Sequence, residues 1–270
     1  MSFTSSFIER SVEIKTYQNW LSKYQNIIRE NPSFLASFPR SGNGWVRLVL
    51  AATILELNRI DINQVNITRK QTINGVSYIS LETKKHSYDL EDIIPDMYLL
   101  NQRTKENYST FDLMTNLIKT HNIIDCSLHR TIFLFREPLK CLTSASLLLN
   151  GQAIKQNHQA INSSIVYLAK FYNRILEHYL IQKEKYPDNC FFLSNRGMNE
   201  QQMMLSFKKA LRFLGIDADI KLINKVLTKF PLRSGYDKSV AQYIDDNTKK
   251  HLQDLIGNKY DKAKKIFVAQ

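Results

Sequence analysis

The chain has 270 residues, 37 Lys and Arg against 25 Asp and Glu, and a net charge of +12. That length suits one globular α/β domain with a full core, and the basic balance suits a polyanionic ligand, nucleic acid or an anionic membrane surface. Cys126, Cys141 and Cys190 are too few and too unevenly spaced for a disulfide framework or a zinc site, and no apolar run reaches the length of a membrane span.

Residues 1 to 31 read as one or two helices, with Trp20, Leu21, Tyr24, Ile27 and Ile28 spaced for one face. A short apolar strand follows, Phe34-Leu35-Ala36-Ser37-Phe38. It breaks at Pro39-Arg40-Ser41-Gly42-Asn43-Gly44 and restarts as a helix at Trp45, apolar almost all round through Leu57. A strand that turns through glycines into a helix presents unpaired backbone N–H groups and a partial positive charge, which is how phosphate and sulfate are bound. Gly42 and Gly44 alone would equally serve an ordinary tight turn. The loop lacks the spacing and the Lys-Ser/Thr pair of a Walker motif, so ATP or GTP hydrolysis is not indicated.

Residues 59 to 112 mix short apolar and polar groups and read as a long irregular insertion, where a pocket for a second substrate would be built. The next strand, Leu117-Ile118-Lys119-Thr120, delivers His121. Another, Thr131-Ile132-Phe133-Leu134-Phe135, delivers Arg136, and Pro138 opens a helix carrying Leu142, Ala145, Leu147 and Leu148. In an open parallel sheet ligands sit beyond the carboxyl ends of the strands, so Arg40, His121 and Arg136 are expected at one edge. Residues 150 to 185 read as a loop and then a helix through Ile165, Leu168, Tyr172 and Leu176, a second source of pocket elements. Cys190-Phe191-Phe192-Leu193 is a further strand, and residues 198 to 214 a further helix. Short basic clusters such as Lys84-Lys85-His86 and Lys249-Lys250-His251 read as solvated faces.

Three of these segments together resemble the sulfotransferases that use 3′-phosphoadenosine 5′-phosphosulfate, in their cytosolic and bacterial form: Phe38 to Trp45, then Lys119-Thr120-His121, then Arg136 with Ser144. A looser fourth match is Phe230-Pro231-Leu232-Arg233-Ser234-Gly235. The resemblance covers the donor-binding core, residues 33 to 150, and implies one domain over residues 1 to 270 with a P-loop-like fold, a central parallel sheet flanked by helices.

The resemblance also implies roles. Arg40, Ser41, Gly42, Asn43, Gly44 and Trp45 would hold the 5′-phosphosulfate, with Trp45 stacked on adenine. Arg136, Ser144, Arg233, Ser234 and Gly235 would hold the 3′-phosphate. His121 would be the general base for the acceptor, an assignment that a lone histidine after a strand would not earn without its neighbours. Lys119 and Arg40 would stabilise charge on the leaving phosphate oxygen. No metal is required, and 3′-phosphoadenosine 5′-phosphate would be the product. The chain departs from the family pattern at Arg40 for lysine, at Asn43 and Gly44 for threonines, at Ser234 for lysine, and at Asn195-Arg196-Gly197 for a Tyr-Glu-Asp stretch.

The expected activity is sulfuryl transfer to a hydroxyl, or an amine, of a small molecule such as an alkaloid or other secondary metabolite. The expected setting is cytoplasmic, without nucleic acid or membrane partners. Two other readings stand beside it: a P-loop-like kinase, which needs a magnesium carboxylate and a Walker lysine not found here, and a non-catalytic basic module for nucleotides or nucleic acid.

Overall fold

A computed structural model describes residues 31–71, 77–84, 87–97, 116–150, 157–194, 198–232 and 244–270. The helices expected before residue 31 and the stretch Arg233-Ser234-Gly235 lie outside the described residues. So does Asn195-Arg196-Gly197.

Four strands form a parallel sheet: β1 (Ser33–Ser37), β5 (Leu117–Thr120), β6 (Thr131–Phe135) and β7 (Cys190–Ser194), in the order β5-β1-β6-β7. The chain therefore leaves β1 to one side for β5 and crosses to its other side for β6. That reversal of strand order opens a crevice beyond the carboxyl end of β1, where open α/β sheets bind ligands.

Alternation along the strands explains the two layers of helix. Ala36, Phe133, Phe135 and Phe192 point to one face. There they pack with α3 (Pro138–Asn150), the long α4 (His158–Lys185), α7 (Asp246–Leu252) and α8 (Asn258–Ala269). Leu35, Ile132, Leu134, Phe191 and Leu193 point to the other. They pack with α1 (Asn43–Leu57), α5 (Glu200–Phe213) and α6 (Ile220–Lys229). A sheet buried on both faces reads as continuous apolar runs, and every described position of β5, β6 and β7 is buried.

The insertion expected to be irregular is not so in its described part. It forms an antiparallel three-stranded sheet of β2 (Asn66–Gln71), β3 (Ser77–Glu82) and β4 (Ser87–Asp89). A single-turn helix, α2 (Leu90–Ile93), follows. Its strands are short and polar on one side, so the period-two signal was masked by Thr68-Arg69-Lys70 and Tyr88-Asp89. After α2 the chain runs beside β5: Asp96 bridges Lys119 in parallel, and the Lys119 amide donates to the Pro95 carbonyl at 2.8 Å.

Candidate functional site

The crevice at the reversal point holds a cavity of about 1060 Å³. Its wall includes Arg40, Gly42, Asn43, Gly44, Trp45, His121, Arg136 and Ser144. Residues as far apart in sequence as the β1 loop, the end of β5 and the start of α3 thus meet at one place, as the topology requires.

The loop after β1 is built around two left-handed residues. Gly42, with φ 96°, is the residue before α1, and Arg40, with φ 68°, takes a conformation that side chains disfavour. Two contacts hold Arg40. Arg136 Nη1 donates to its main-chain carbonyl at 3.0 Å, and its own Nε donates to Ser144 Oγ at 3.0 Å. α1 begins with no side-chain cap and no acidic residue in its first turn, so its leading N–H groups are available to an anion. A Cβ added at Gly44 would meet nothing within 4 Å, which leaves room for a ligand against the backbone.

Arg136 is 7 % exposed, and its Nε is buried without a hydrogen-bond partner. It has no carboxylate partner among the described residues. A buried guanidinium left in this state fits an anionic ligand. Its main-chain carbonyl accepts from the Tyr172 hydroxyl, which ties the end of β6 to α4. Arg40, Arg136 and Lys229 give the cavity wall its positive charge, and no Asp or Glu stands among its described lining residues.

His121 sits just past β5, and its tautomer follows from its contacts. Nδ1 lies 2.7 Å from the Ser37 carbonyl, which can only accept, so Nδ1 carries the hydrogen. Nε2 is then an acceptor, and Lys119 Nζ donates to it at 2.8 Å. Asn43 Nδ2 donates to Ser37 Oγ at 3.0 Å and lies 3.5 Å from Nε2. Burial, and then the Lys119 charge, hold the His121 pKa down at about 3, so the ring is neutral at physiological pH.

Three expectations change in detail. Lys119 does not line the cavity: it is buried behind His121, with Nζ 2.7 Å from Asp96 Oδ2. Its pKa is lowered by burial, against the opposing pull of Asp96. Ser41 is fully buried, with Oγ 3.5 Å from Cys141 Sγ beneath the loop, so its hydroxyl is turned from the cavity. Trp45 does reach the cavity, but its ring also stands edge-on to Phe207 and its Nε1 donates to the Phe230 carbonyl at 2.9 Å. That fixes the indole as a wall.

The surroundings expected for a second substrate are found only in part. Val65, Asn66, Ile67 and Ile79, from the antiparallel sheet and the residue before it, line the cavity beside Leu48 and Leu148. None of the described residues 157–185 does so; α4 is a core helix. Lys229, Phe230, Pro231 and Leu232 line it as well, at the end of α6 and directly before the stretch from Arg233.

Sequence reasoning missed Asp96, Glu91 and Arg47. Arg47 is 6 % exposed and donates to Glu91 Oε1 at 2.7 Å and to the Ile94 carbonyl at 3.1 Å through its Nε. Burial alone would raise the Asp96 pKa, but Lys119 and then Arg47 bring it to about 2. The available signal was Arg47 itself, a charge set in the apolar run of α1 well before Glu56 near its end, which requires a buried partner.

Among the described residues no group of three or more His, Cys, Asp or Glu stands close enough to hold a metal ion, and no helix is long and apolar enough to cross a membrane. No family model matches the chain, and a search of curated proteins finds no match.

Proposed function

We propose that this protein transfers a sulfuryl group from 3′-phosphoadenosine 5′-phosphosulfate to a hydroxyl of a small molecule. The observation that carries the reading is the meeting of Arg40, Arg136 and Ser144 with the uncapped start of α1 around one cavity, with neutral His121 on its wall. The donor supplies an activated sulfuryl group with a phosphate leaving group and a second, separate phosphate. The two anions would meet one contiguous cluster: the α1 start on one side, Arg136 with Ser144 on the other, and Arg40, whose Nε donates to Ser144 Oγ, between them.

His121 has the form a general base needs, a neutral ring with a fixed tautomer and one lone pair, on Nε2. Held at about 3, its pKa makes it a weak base while Lys119 donates to that lone pair. Proton acceptance therefore requires the acceptor hydroxyl to take the place of Lys119 on Nε2. Arg40 lies nearest the α1 start and carries the charge available to a leaving phosphate oxygen. Being arginine, it stabilises that charge without lending a proton.

Val65, Ile67, Ile79, Leu48 and Leu148 give the acceptor an apolar wall. A positively charged alkaloid finds no carboxylate among the described lining residues, so a neutral or acidic hydroxyl compound suits this wall better. A cytoplasmic setting belongs to the same proposal, and the three free buried thiols suit a reducing compartment. The test is donor-dependent transfer: enzyme, donor and a panel of hydroxyl compounds, with sulfated product detected by mass spectrometry and turnover repeated with a chelator. Product that forms only with donor and survives the chelator supports the reading. A phosphorylated product, or turnover that the chelator abolishes, would favour the kinase.

A further inference from the structure

A continuous line of buried polar side chains runs from the core to the cavity wall, and the cavity chemistry described above uses only its last member. It begins at Glu91 on α2, whose Oε1 accepts from Arg47 of α1 at 2.7 Å and whose Oε2 accepts from the Asp96 amide at 2.7 Å. Arg47 also donates to the Ile94 carbonyl and places Nη1 3.9 Å from Asp96 Oδ2. Asp96 Oδ2 then accepts from Lys119 Nζ at 2.7 Å, and Lys119 Nζ donates to His121 Nε2 at 2.8 Å.

The two halves of this line do different work. Glu91 and Arg47 fix main-chain atoms, the Ile94 carbonyl and the Asp96 amide, and so account for their own burial as a clamp on the segment beside β5. On the cavity side the Asp96 carboxylate accepts from the Lys119 ammonium, which donates in turn to the His121 ring. Burying a carboxylate and an ammonium is unfavourable unless both are well paired, and an apolar pair of the same shape would pack as well. The pair stands directly behind a cavity-wall histidine, on which the ammonium donates.

We infer that Asp96 is a positioning residue for His121, acting through Lys119: its carboxylate holds the ammonium on the Nε2 lone pair. An ammonium has three N–H groups, of which one is on Asp96 and one on Nε2. The Ser37 carbonyl fixes the Nδ1–H tautomer, and with Asp96 in place the Nε2 lone pair is covered until a hydroxyl displaces the lysine. Without it the ammonium has no anchor at this distance and the lone pair is left to water. The charged groups facing Lys119 are Asp96, Arg47 and Glu91, so the loss of one negative charge leaves it more easily deprotonated. The catalytic meaning of this arrangement rests on the proposed sulfuryl transfer; the arrangement itself does not.

The test is Asp96→Asn, read first by long-range proton–nitrogen correlation spectra of the histidine rings across neutral and alkaline pH. In the unsubstituted protein the His121 Nε2 signal stays that of a nitrogen accepting from an ammonium, and steps when Lys119 loses its proton. In Asp96→Asn that step comes at lower pH by about one to three units, the effect of removing an opposite charge at close range. Turnover falls about tenfold or more, because the ring loses the nearby Asp96 charge that supports its basicity, while the Kd for 3′-phosphoadenosine 5′-phosphate is unchanged. An alkaline step at its original pH, or unchanged turnover, overturns the inference. Where Asp96→Asn does not fold, Asp96→Glu decides: the charge is kept and moved, so the step stays in place while the Nε2 signal shifts, and a ring signal identical to the original overturns it. If the nucleotide fails to bind the unsubstituted protein, the donor reading fails, and the ring spectra still decide the role of Asp96.

Discussion

Arg136 Nη1 donates to the main-chain carbonyl of Arg40 at 3.0 Å, so a guanidinium at the end of β6 holds the neighbouring loop in its left-handed turn. The same guanidinium keeps a buried Nε without a partner. One side chain thus shapes the loop after β1 and lines the cavity beside it.

Replacing Arg136 by alanine removes both functions. The expected loss in binding of 3′-phosphoadenosine 5′-phosphate is about 1.5–3 kcal/mol, the range for a hydrogen bond to a charged group. Arg136→Lys keeps the charge without the fork and recovers part of it. Calorimetric titration of the two variants measures this, and equal affinities for both and for the unsubstituted protein would remove Arg136 from the site.

Gly44 separates folding from binding. It lies in the first turn of α1 with open space where a Cβ would be, so Gly44→Ala is expected to raise stability by about 0.5–1 kcal/mol through helix propensity. The same methyl occupies the space against the backbone and weakens nucleotide binding. Urea unfolding and calorimetry on one variant check the two directions. A variant that binds as well as the original would mean that no ligand approaches that backbone.

His121 is expected to matter for turnover and not for donor affinity. His121→Gln lowers the rate about a hundred- to ten-thousandfold, the usual contribution of a general base, with the nucleotide Kd unchanged. A variant that keeps most of its turnover takes the base role from His121.

The same substitution has a signature in stability. The folded His121 pKa is about 3 against 6.5 for an unperturbed ring. Above pH 6.5 both folded and unfolded rings are neutral and the group has no effect. As pH falls below that value the unfolded ring takes up a proton that the folded one refuses, so stability falls with acid until the folded ring titrates. The slope is one proton, about 1.4 kcal/mol per pH unit. Urea unfolding between neutral and mildly acid pH should therefore show a shallower fall for His121→Gln by that one proton; parallel curves would mean that the ring protonates in the folded state.

Much of this arrangement was legible in the sequence because strand ends announce themselves. Apolar runs stopping at Arg40, Thr120 and Phe135 fixed where the sheet delivers chemistry, and the parallel order brought Arg40, His121 and Arg136 to one cavity. Two kinds of information were not legible. The antiparallel sheet of residues 66 to 89 has short strands whose alternation is interrupted by charge, so its pattern resembled a loop. The orientation of Lys119 and Ser41 depends on partners distant in sequence, Asp96 and Cys141, and no local pattern encodes them. Sequence spacing located the residues that gather at the sheet edge, while burial decided which of them line the cavity.

The proposed function requires that the cavity bind a nucleotide through two anions. Calorimetric titration with 3′-phosphoadenosine 5′-phosphate, alongside adenosine 5′-monophosphate, measures that. The expected result is saturable binding of the bisphosphate, tighter than the monophosphate by about 1.5–3 kcal/mol for the second anion, with that margin lost in Arg136→Ala. Equal affinity for the two nucleotides, or no binding of either, would contradict the account.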